Sequence, residues 1–211
     1  MIIAIDGPAA AGKGTLARRL AEHFNLAYLD TGLIYRAVGR KVLDDGADAN
    51  DAVAAEVVAR ALVPADLERD GLRTDETAQA ASKVSAVPGV RAALLDFQRD
   101  FAQAPPAGFQ GAVLDGRDIG TVVCPDADVK IFISADVEVR AKRRVKELQD
   151  RVGEAIYARV LEDMMERDAR DSDRAVSPLE PAADAHTLDT SNLDADQVLA
   201  TALEIIGSRD E

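Results

Sequence analysis

Gly7, Gly12 and Lys13 stand in the spacing G-x-x-x-x-G-K, directly behind the apolar run Ile2, Ile3, Ala4 and Ile5, which stops at Asp6. Glycines at those places give the backbone conformations closed to other residues, so successive N–H groups can turn inward around an anion. Lys13 adds a mobile charge that can reach terminal phosphates. The chemistry is phosphate binding, and the candidate cradle is Gly7, Pro8, Ala9, Ala10, Ala11, Gly12, Lys13, Gly14 and Thr15. A second concentration begins at Asp115, which ends the apolar stretch Ala112, Val113 and Leu114 and is followed by Gly116-Arg117-Asp118-Ile119-Gly120. Phosphoryl-transfer sites need such a carboxylate to hold magnesium or its waters, and Arg117 sets a guanidinium beside it. A charged loop is often only a turn; here it accompanies a phosphate loop. Glu166 to Arg174 is the third, rich in arginine, whose planar fork binds phosphate oxygens two at a time and stays charged.

One detail departs from the usual phosphate loop. Gly14 follows Lys13 directly, and the hydroxyl arrives only at Thr15. Each helix position turns by about 100°, so Thr15 does not inherit the magnesium-ligand place; it can instead meet a phosphate nearer the ribose, while Gly14 leaves room beside the Lys13 stem.

These groups need a scaffold that brings distant loops together. Residues 2–5 are too short for a helix and suit a buried parallel strand. Behind the loop, Leu16, Leu20 and Phe24 recur every four residues beside Ala17 and Ala21, giving a helix whose N-terminus faces the bound anion. Residues 26–29 predict a second strand, with Thr31 as N-cap of the helix that carries Tyr35 and Arg36. That pair fits either a solvated surface or contact with an acceptor nucleotide. Residues 44–75 are acidic and alanine-rich, with helical spacing through Val53, Val57 and Leu62, a stop near Pro64 and a small hairpin at Asp70-Gly71. Helix returns over 76–103, interrupted at Pro88-Gly89, before a loop at 104–111. Strands follow at 112–114, 129–133 and 187–190. Asp136 caps a long basic helix with Val137, Ala141, Val145 and Leu148 on one face; Gly153 breaks it from a second, and 193–206 closes the chain in helix. Two basic helices around a short joint can close as a lid over phosphates. Strands alternating with helices predict an α/β fold: a parallel five-stranded sheet with helices on both faces and the loops at 7–15, 30–36 and 115–118 at its carboxyl edge.

At 211 residues and 47% hydrophobic the chain suits one domain with modest insertions. Its single cysteine, Cys124, excludes an internal disulfide and a multi-cysteine metal site, and His23 and His186 are too far apart to suggest one. No apolar stretch has the length of a membrane span or a signal peptide, so the expectation is a cytoplasmic protein. A net charge of −13 argues against a nucleic acid polymer or an anionic membrane as partner.

GPAAAGKGT, LDTGLIYR, LDGRDIGTVVCPDA and RDARDSDRAVSPL, in that order, resemble the bacterial cytidylate kinases, in the nucleoside monophosphate kinase group of P-loop proteins, and the similarity runs through nearly the whole chain. The resemblance implies transfer of the ATP γ-phosphoryl group to CMP or dCMP with Mg2+. It implies that Gly7 to Thr15 hold ATP phosphates, that Lys13 stabilises the migrating charge, and that Arg36 and Arg117 bind the acceptor phosphate. Ser82, Arg91 and Asp118 would read the cytosine with Arg174 nearby, Tyr35, Arg167 and Asp171 would meet the acceptor sugar, and Asp115 would organise Mg2+ through water. Thr31 stands where the family commonly has Ser. The resemblance further implies an acceptor-binding insertion at about 36–105, a lid at about 143–170 within a single P-loop kinase domain 1–211, and a monomer. Two departures stand out: Ala9 and Ala10 replace the Ser and Gly of many members, and the insertion around 63–75 looks shorter.

Three competitors differ in what they leave unexplained. A kinase for UMP, AMP or a coenzyme precursor would keep the phosphate machinery and change the base-reading set. A regulatory P-loop GTPase calls for an Asn-Lys-x-Asp motif, which does not occur, and gives the arginines after 115 and 166 no task. A nucleotide-binding scaffold without catalysis has no use for Lys13, Asp115 and the arginines together.

Overall fold

A computed structural model describes residues 1–152 and 155–208. Among them five strands form one parallel sheet in the order β2-β3-β1-β4-β5, with β1 at Ile2–Asp6, β2 at Ala27–Asp30, β3 at Ala112–Gly116, β4 at Val129–Ser134 and β5 at His186–Asp189. The expected strands all form, β2 and β5 shifted by one residue, β1 and β4 one residue longer and β3 two residues longer than expected. β1 and β3 are apolar and buried at nearly every position because helices cover both faces, as parallel sheets require. Helix α1, Lys13–Phe24, and α8, Ala195–Gly207, cover one face with Leu16, Leu20, Val198 and Ile206 against Ile3, Ile5 and Ile131. Helices α2, Thr31–Asp44, and α5, Pro88–Gln103, lie on the other face, where Ile34, Val38 and Leu94 meet Leu114 and Ile119.

The chain leaves β1 toward β2 on one side and leaves β4 toward β5 on the other. Such a reversal of direction opens a crevice at the carboxyl ends of the strands, and Gly7 stands at its floor.

The insertion holds α3, Ala52–Arg60, and α4, Asp75–Val84. The helix expected through Val53 and Val57 forms, and one expectation, the hairpin, fails. Val53 and Val57 are 75% and 62% exposed, and α3 buries Ala55 and Ala59 instead, because small side chains let it lie close against its neighbours. The hairpin at Asp70-Gly71 is absent. Pro64–Glu68 winds into a 3-10 turn held by Asp66, which accepts from the Val63 amide at 3.0 Å and from Lys41 at 2.7 Å. Thr74 and Thr77 hydroxyls then both donate to the Gly71 carbonyl at 2.9 Å, turning the chain into α4. Side-chain bonds thus take the backbone groups that a ladder would need.

Helices α2 and α4 touch at Gly39, where a Cβ would come within 2.8 Å of the Ala81 nitrogen and 3.0 Å of the Ala80 carbonyl carbon. Gly39→Ala is expected to destabilise the protein by about 1–3 kcal/mol through overpacking. Thermal unfolding checks this: an unchanged midpoint would mean that the two helices can separate freely.

Helices α6, Val137–Val152, and α7, Tyr157–Ser172, pack through Ala141, Leu148, Val160 and Met164, with Val137 and Val145 at the margin as expected. Asp136 immediately precedes α6, and its carbonyl accepts from the Arg140 amide at 3.0 Å. The expected break at Gly153 lies outside the described residues. Among the described residues no helix is long and apolar enough to cross a membrane.

Candidate active site

Gly7 has φ 143°, and a Cβ there would fall 2.0 Å from the Ile133 carbonyl oxygen of β4, so only glycine lets the loop leave β1 this close to the sheet. Gly12, φ 101°, is the residue before α1. Between them Ala10 sits at φ 58°. A left-handed alanine carries about 1–2 kcal/mol of backbone strain, which a glycine at this place would relieve. Its carbonyls are tied away from the mouth: Ala11 accepts from Thr190 Oγ1 at 2.9 Å, Ala9 from Arg140 Nη1 at 3.4 Å and Pro8 from Lys13 Nζ at 2.8 Å.

The cradle opens on a cleft of about 280 Å³ lined in part by Ala9, Ala10, Lys13 and Gly14. Gly12 and Thr15 are exposed beyond the lining, and Gly7, Pro8 and Ala11 form the loop's stem behind it. Lys13 is buried. Desolvation, aided by Arg117, brings its ammonium down to about 7, against the opposing pull of Asp115. Asp115 lines the cleft, and β3 runs one residue past it to Gly116; its Oδ2 accepts from Tyr28 Oη at 2.9 Å, and burial raises its carboxyl. Gly14 acquires a reason here: a Cβ would lie 3.2 Å from that carboxylate oxygen and 3.5 Å from the tyrosine hydroxyl.

Thr31 is not the N-cap of α2. Asp30 is, accepting from the Leu33 amide at 3.2 Å. A carboxylate ending β2 reaches the first turn as easily as the hydroxyl one place on, and Thr31 is then free to donate to the Asp115 carbonyl at 2.8 Å, tying α2 to β3. Asp30 also lines the cleft, a second carboxylate at its mouth that the sequence reading passed over.

Across the cleft, Arg36 donates to the Leu72 carbonyl at 3.0 Å, and burial with Arg144 nearby lowers it to about 10. Tyr35 is buried, with the Arg91 guanidinium 5.5 Å from its ring centre. Arg91 forms a buried ion pair with Asp118 and donates to the Ser85 carbonyl at 3.2 Å; its Nε has no hydrogen-bond partner among the described residues. Arg117, Arg167 and Arg174 converge on Asp171, Arg117 Nε at 3.0 Å and Arg167 Nε at 3.8 Å. Burial alone would raise the Asp171 carboxyl, but these guanidiniums overcome it and hold it at about 2. Arg167, desolvated and beside Arg117, is lowered to about 9. Ser82 is buried just behind the lining, its hydroxyl accepting from Arg170 Nη1 at 2.6 Å.

Besides Asp30, Arg170 was missed, and Arg140 was legible only as one of the basic residues of the long helix. Arg170 lies in α7 beside Arg167 and Asp171, with Arg174 just past the helix end, a spacing visible in the sequence. Arg140 donates to the Ala135 and Ala9 carbonyls and to Asp168, joining the loop to both α6 and α7. Nothing in the sequence marks backbone carbonyls as its partners. Arg143 is bound to Thr190, and Arg144 to Asp75 and Glu147.

Chemically, the cleft faces one buried lysine and several guanidiniums with fewer carboxylates, an arrangement suited to two phosphate-bearing ligands placed end to end.

A sequence profile for the family described as cytidylate kinase matches residues 3–208. The cytidylate kinase of Paramagnetospirillum magneticum is 67% identical over 208 residues, covering 99% of this chain and 98% of that protein. That of Rhodospirillum rubrum is 61% identical over 211 residues, covering 100% and 99%. Among solved structures, an uncharacterized protein from Eubacterium ventriosum covers 99% of both chains with a TM-score of 0.57 at 17% identity, a likeness of fold alone.

Proposed function

The chain belongs to the cytidylate kinase family of P-loop α/β proteins, and from that premise we propose that it transfers the γ-phosphoryl group of ATP to CMP or dCMP, giving ADP and CDP or dCDP. The observation that carries this reading is the single cleft in which Lys13, Asp115, Arg36, Arg117 and the Arg91–Asp118 pair face one another.

ATP phosphates lie along Gly7 to Thr15, and Lys13 spans the transferring group. Arg36 and Arg117 hold the acceptor phosphate, whose oxygen is already ionised and attacks without a general base. The residues then work by alignment and by charge placed where the transition state spreads it. Cytosine presents an amino donor and a neighbouring ring acceptor, which match the Asp118 carboxylate and the Arg91 guanidinium; uracil inverts both. Ser82 and Arg174 complete the base site, and Tyr35, Arg167 and Asp171 the sugar site. Among the described residues no three metal-ligating side chains cluster. That suits Mg2+, which keeps waters and takes one or two carboxylates with substrate phosphates; Asp115, through water, would hold it, and it would offset charge on the β- and γ-phosphates. Residues 36–105 serve as the acceptor-binding insertion and 143–170 as a lid that excludes water, within one domain 1–211 acting as a cytoplasmic monomer.

An ADP-release assay with ATP and Mg2+ against CMP, dCMP, UMP, AMP, GMP and no acceptor tests the reading. Turnover is expected with CMP and dCMP; activity confined to another nucleotide overturns the base assignment, and ADP release independent of acceptor overturns the transfer. Arg117→Ala and Arg36→Ala are each expected to raise the CMP KM by about tenfold to a hundredfold, the worth of charged hydrogen bonds, with the ATP KM within about threefold. Unchanged CMP kinetics in both variants would sink the acceptor assignment.

A further inference from the structure

Asp6 is a charged residue at the end of a strand otherwise made of apolar side chains, and it is 5% exposed. Its carboxylate acts as a fork. Oδ1 accepts from the Ile119 amide and Oδ2 from the Gly120 amide, both at 2.8 Å. The two donors are consecutive backbone groups, so both bonds together fix the position and the rotation of that loop.

The chain on either side gives the fork its meaning. Gly7 follows Asp6 and begins the cradle that ends at Lys13. Arg117 and Asp118 precede Ile119 and Gly120 and turn toward Asp171 and Arg91 respectively. The ladder already pairs Asp6 with Gly116, so the backbone alone keeps the strands in register. Beyond Gly116 the strand ends, and the fork joins the Arg117–Asp171 and Arg91–Asp118 pairs and the buried Ile119 side chain in holding the next residues, as their one hydrogen-bonded tie, among the described residues, to the strand that leads into the cradle. The packing beneath is close: a Cβ at Gly120 would stand 3.2 Å from Lys130 Cδ and 3.5 Å from Asp6 Oδ2. Burial raises the Asp6 carboxyl to about 6 although both amide bonds favour its ionised form. A buried carboxylate is a costly way to finish a strand, and a simple hydrophobic residue would serve the core as well.

We propose that Asp6 is a positioning residue that sets Arg117 and Asp118, the groups facing the acceptor, at a fixed distance from the cradle that holds the donor. The inference rests on the acceptor roles given to Arg117 and Asp118 above. Its consequence is a selective defect. Loosening the fork leaves the cradle whole, since β1 stays paired with β4 as far as Asp6 opposite Phe132, and lets the acceptor loop drift.

Asp6→Asn tests this because the amide keeps one acceptor and turns a second donor against a backbone N–H. A misplacement of about 1 Å can cost about a hundredfold, and a partial loosening is expected to raise the CMP KM and lower kcat by about tenfold each. ATP affinity, measured by calorimetry without acceptor, is expected to stay within about twofold. Amide exchange at Ile119 and Gly120, read by NMR, is expected to quicken in the variant while exchange along β1 does not. Ile206→Ala, a core truncation in α8 on the other face of the sheet, serves as the stability control: it is expected to lower the thermal midpoint and leave both KM values alone. Asp6→Glu, which keeps the charge on a longer arm, carries the same kinetic test should Asp6→Asn fail to fold.

Wild-type CMP kinetics in a folded Asp6→Asn or Asp6→Glu variant would overturn the proposal, and so would equal losses of ATP and CMP affinity. Failure of the underlying reading looks different. It appears in the wild-type protein, as absent CMP turnover, before any variant is made.

Discussion

Lys13→Met is expected to lower turnover with CMP by about a thousandfold, the scale on which preorganised charges act in acyl and phosphoryl transfer, while the protein stays at least as stable as the wild type at neutral pH. Methionine has nearly the same length and shape, and among the described residues the hydrogen bond lost runs to the Pro8 carbonyl. Against that loss, the lysine charge is unwelcome in the free protein: burial, then Arg117, lower its ammonium from 10.5 to about 7. Between those values the unfolded chain binds more protons at this group than the folded one. The Lys13 contribution to stability therefore rises with pH from about 7 to 10.5. Below that window the penalty is complete, and the methionine variant escapes it. Bound phosphate restores the charge, so at pH 8 ATP binding to the wild type should take up protons, seen as a dependence of the calorimetric heat on buffer ionisation enthalpy. The variant should lack that component. A variant keeping more than about a tenth of wild-type turnover would remove Lys13 from transition-state stabilisation.

The same lysine shows why part of the site was legible. The strand, glycine-bounded loop and amphipathic helix around it are neighbours in the chain, and each is specified by local preferences. Asp115 was legible for a similar reason, as a charge near the end of an apolar strand. What escaped depends on partners distant in sequence. Gly14 is explained by Asp115 and Tyr28, Thr31 by the Asp115 carbonyl, and Arg140 by Asp168 and the Ala9 carbonyl. The buried face of α3 was not legible, because its valines outweigh its alanines in hydrophobicity, whereas close helix packing favours the smaller side chain. The strand order depends on which crossovers pack, and the strands themselves carry no mark of it. The arginine run 166–174 was visible as charge, but its organisation around one carboxylate was not.

That carboxylate is the second place where a single change should have a large effect. Asp171 is 2% exposed, and Arg174 and Arg117 beside it are 4% and 16% exposed. Asp171→Asn keeps the shape, removes the charge and leaves these guanidiniums and Arg167 uncompensated. Breaking one member of a buried charge set costs about 3–5 kcal/mol, and for a domain of this size each kcal/mol lowers the midpoint by about 2–4 °C. The deficit should depend on pH in a defined direction. The folded carboxyl is depressed from 3.8 to about 2, so its contribution is complete above the upper value and is lost as pH falls through the lower. Denaturation curves of the two proteins should thus differ by a constant amount near neutrality and converge in strong acid. Asp6 titrates in the opposite sense, its folded value of about 6 lying above 3.8, but it is common to both proteins and cancels in the difference. An anion supplies the complementary test. With Asp171 neutralised, the positive cluster seeks its charge elsewhere, and sulfate or CMP should raise the midpoint of the variant more than that of the wild type. Equal anion responses, or a variant as stable as the wild type, would mean that the guanidiniums have turned to solvent and that Asp171 does not hold them for an acceptor phosphate.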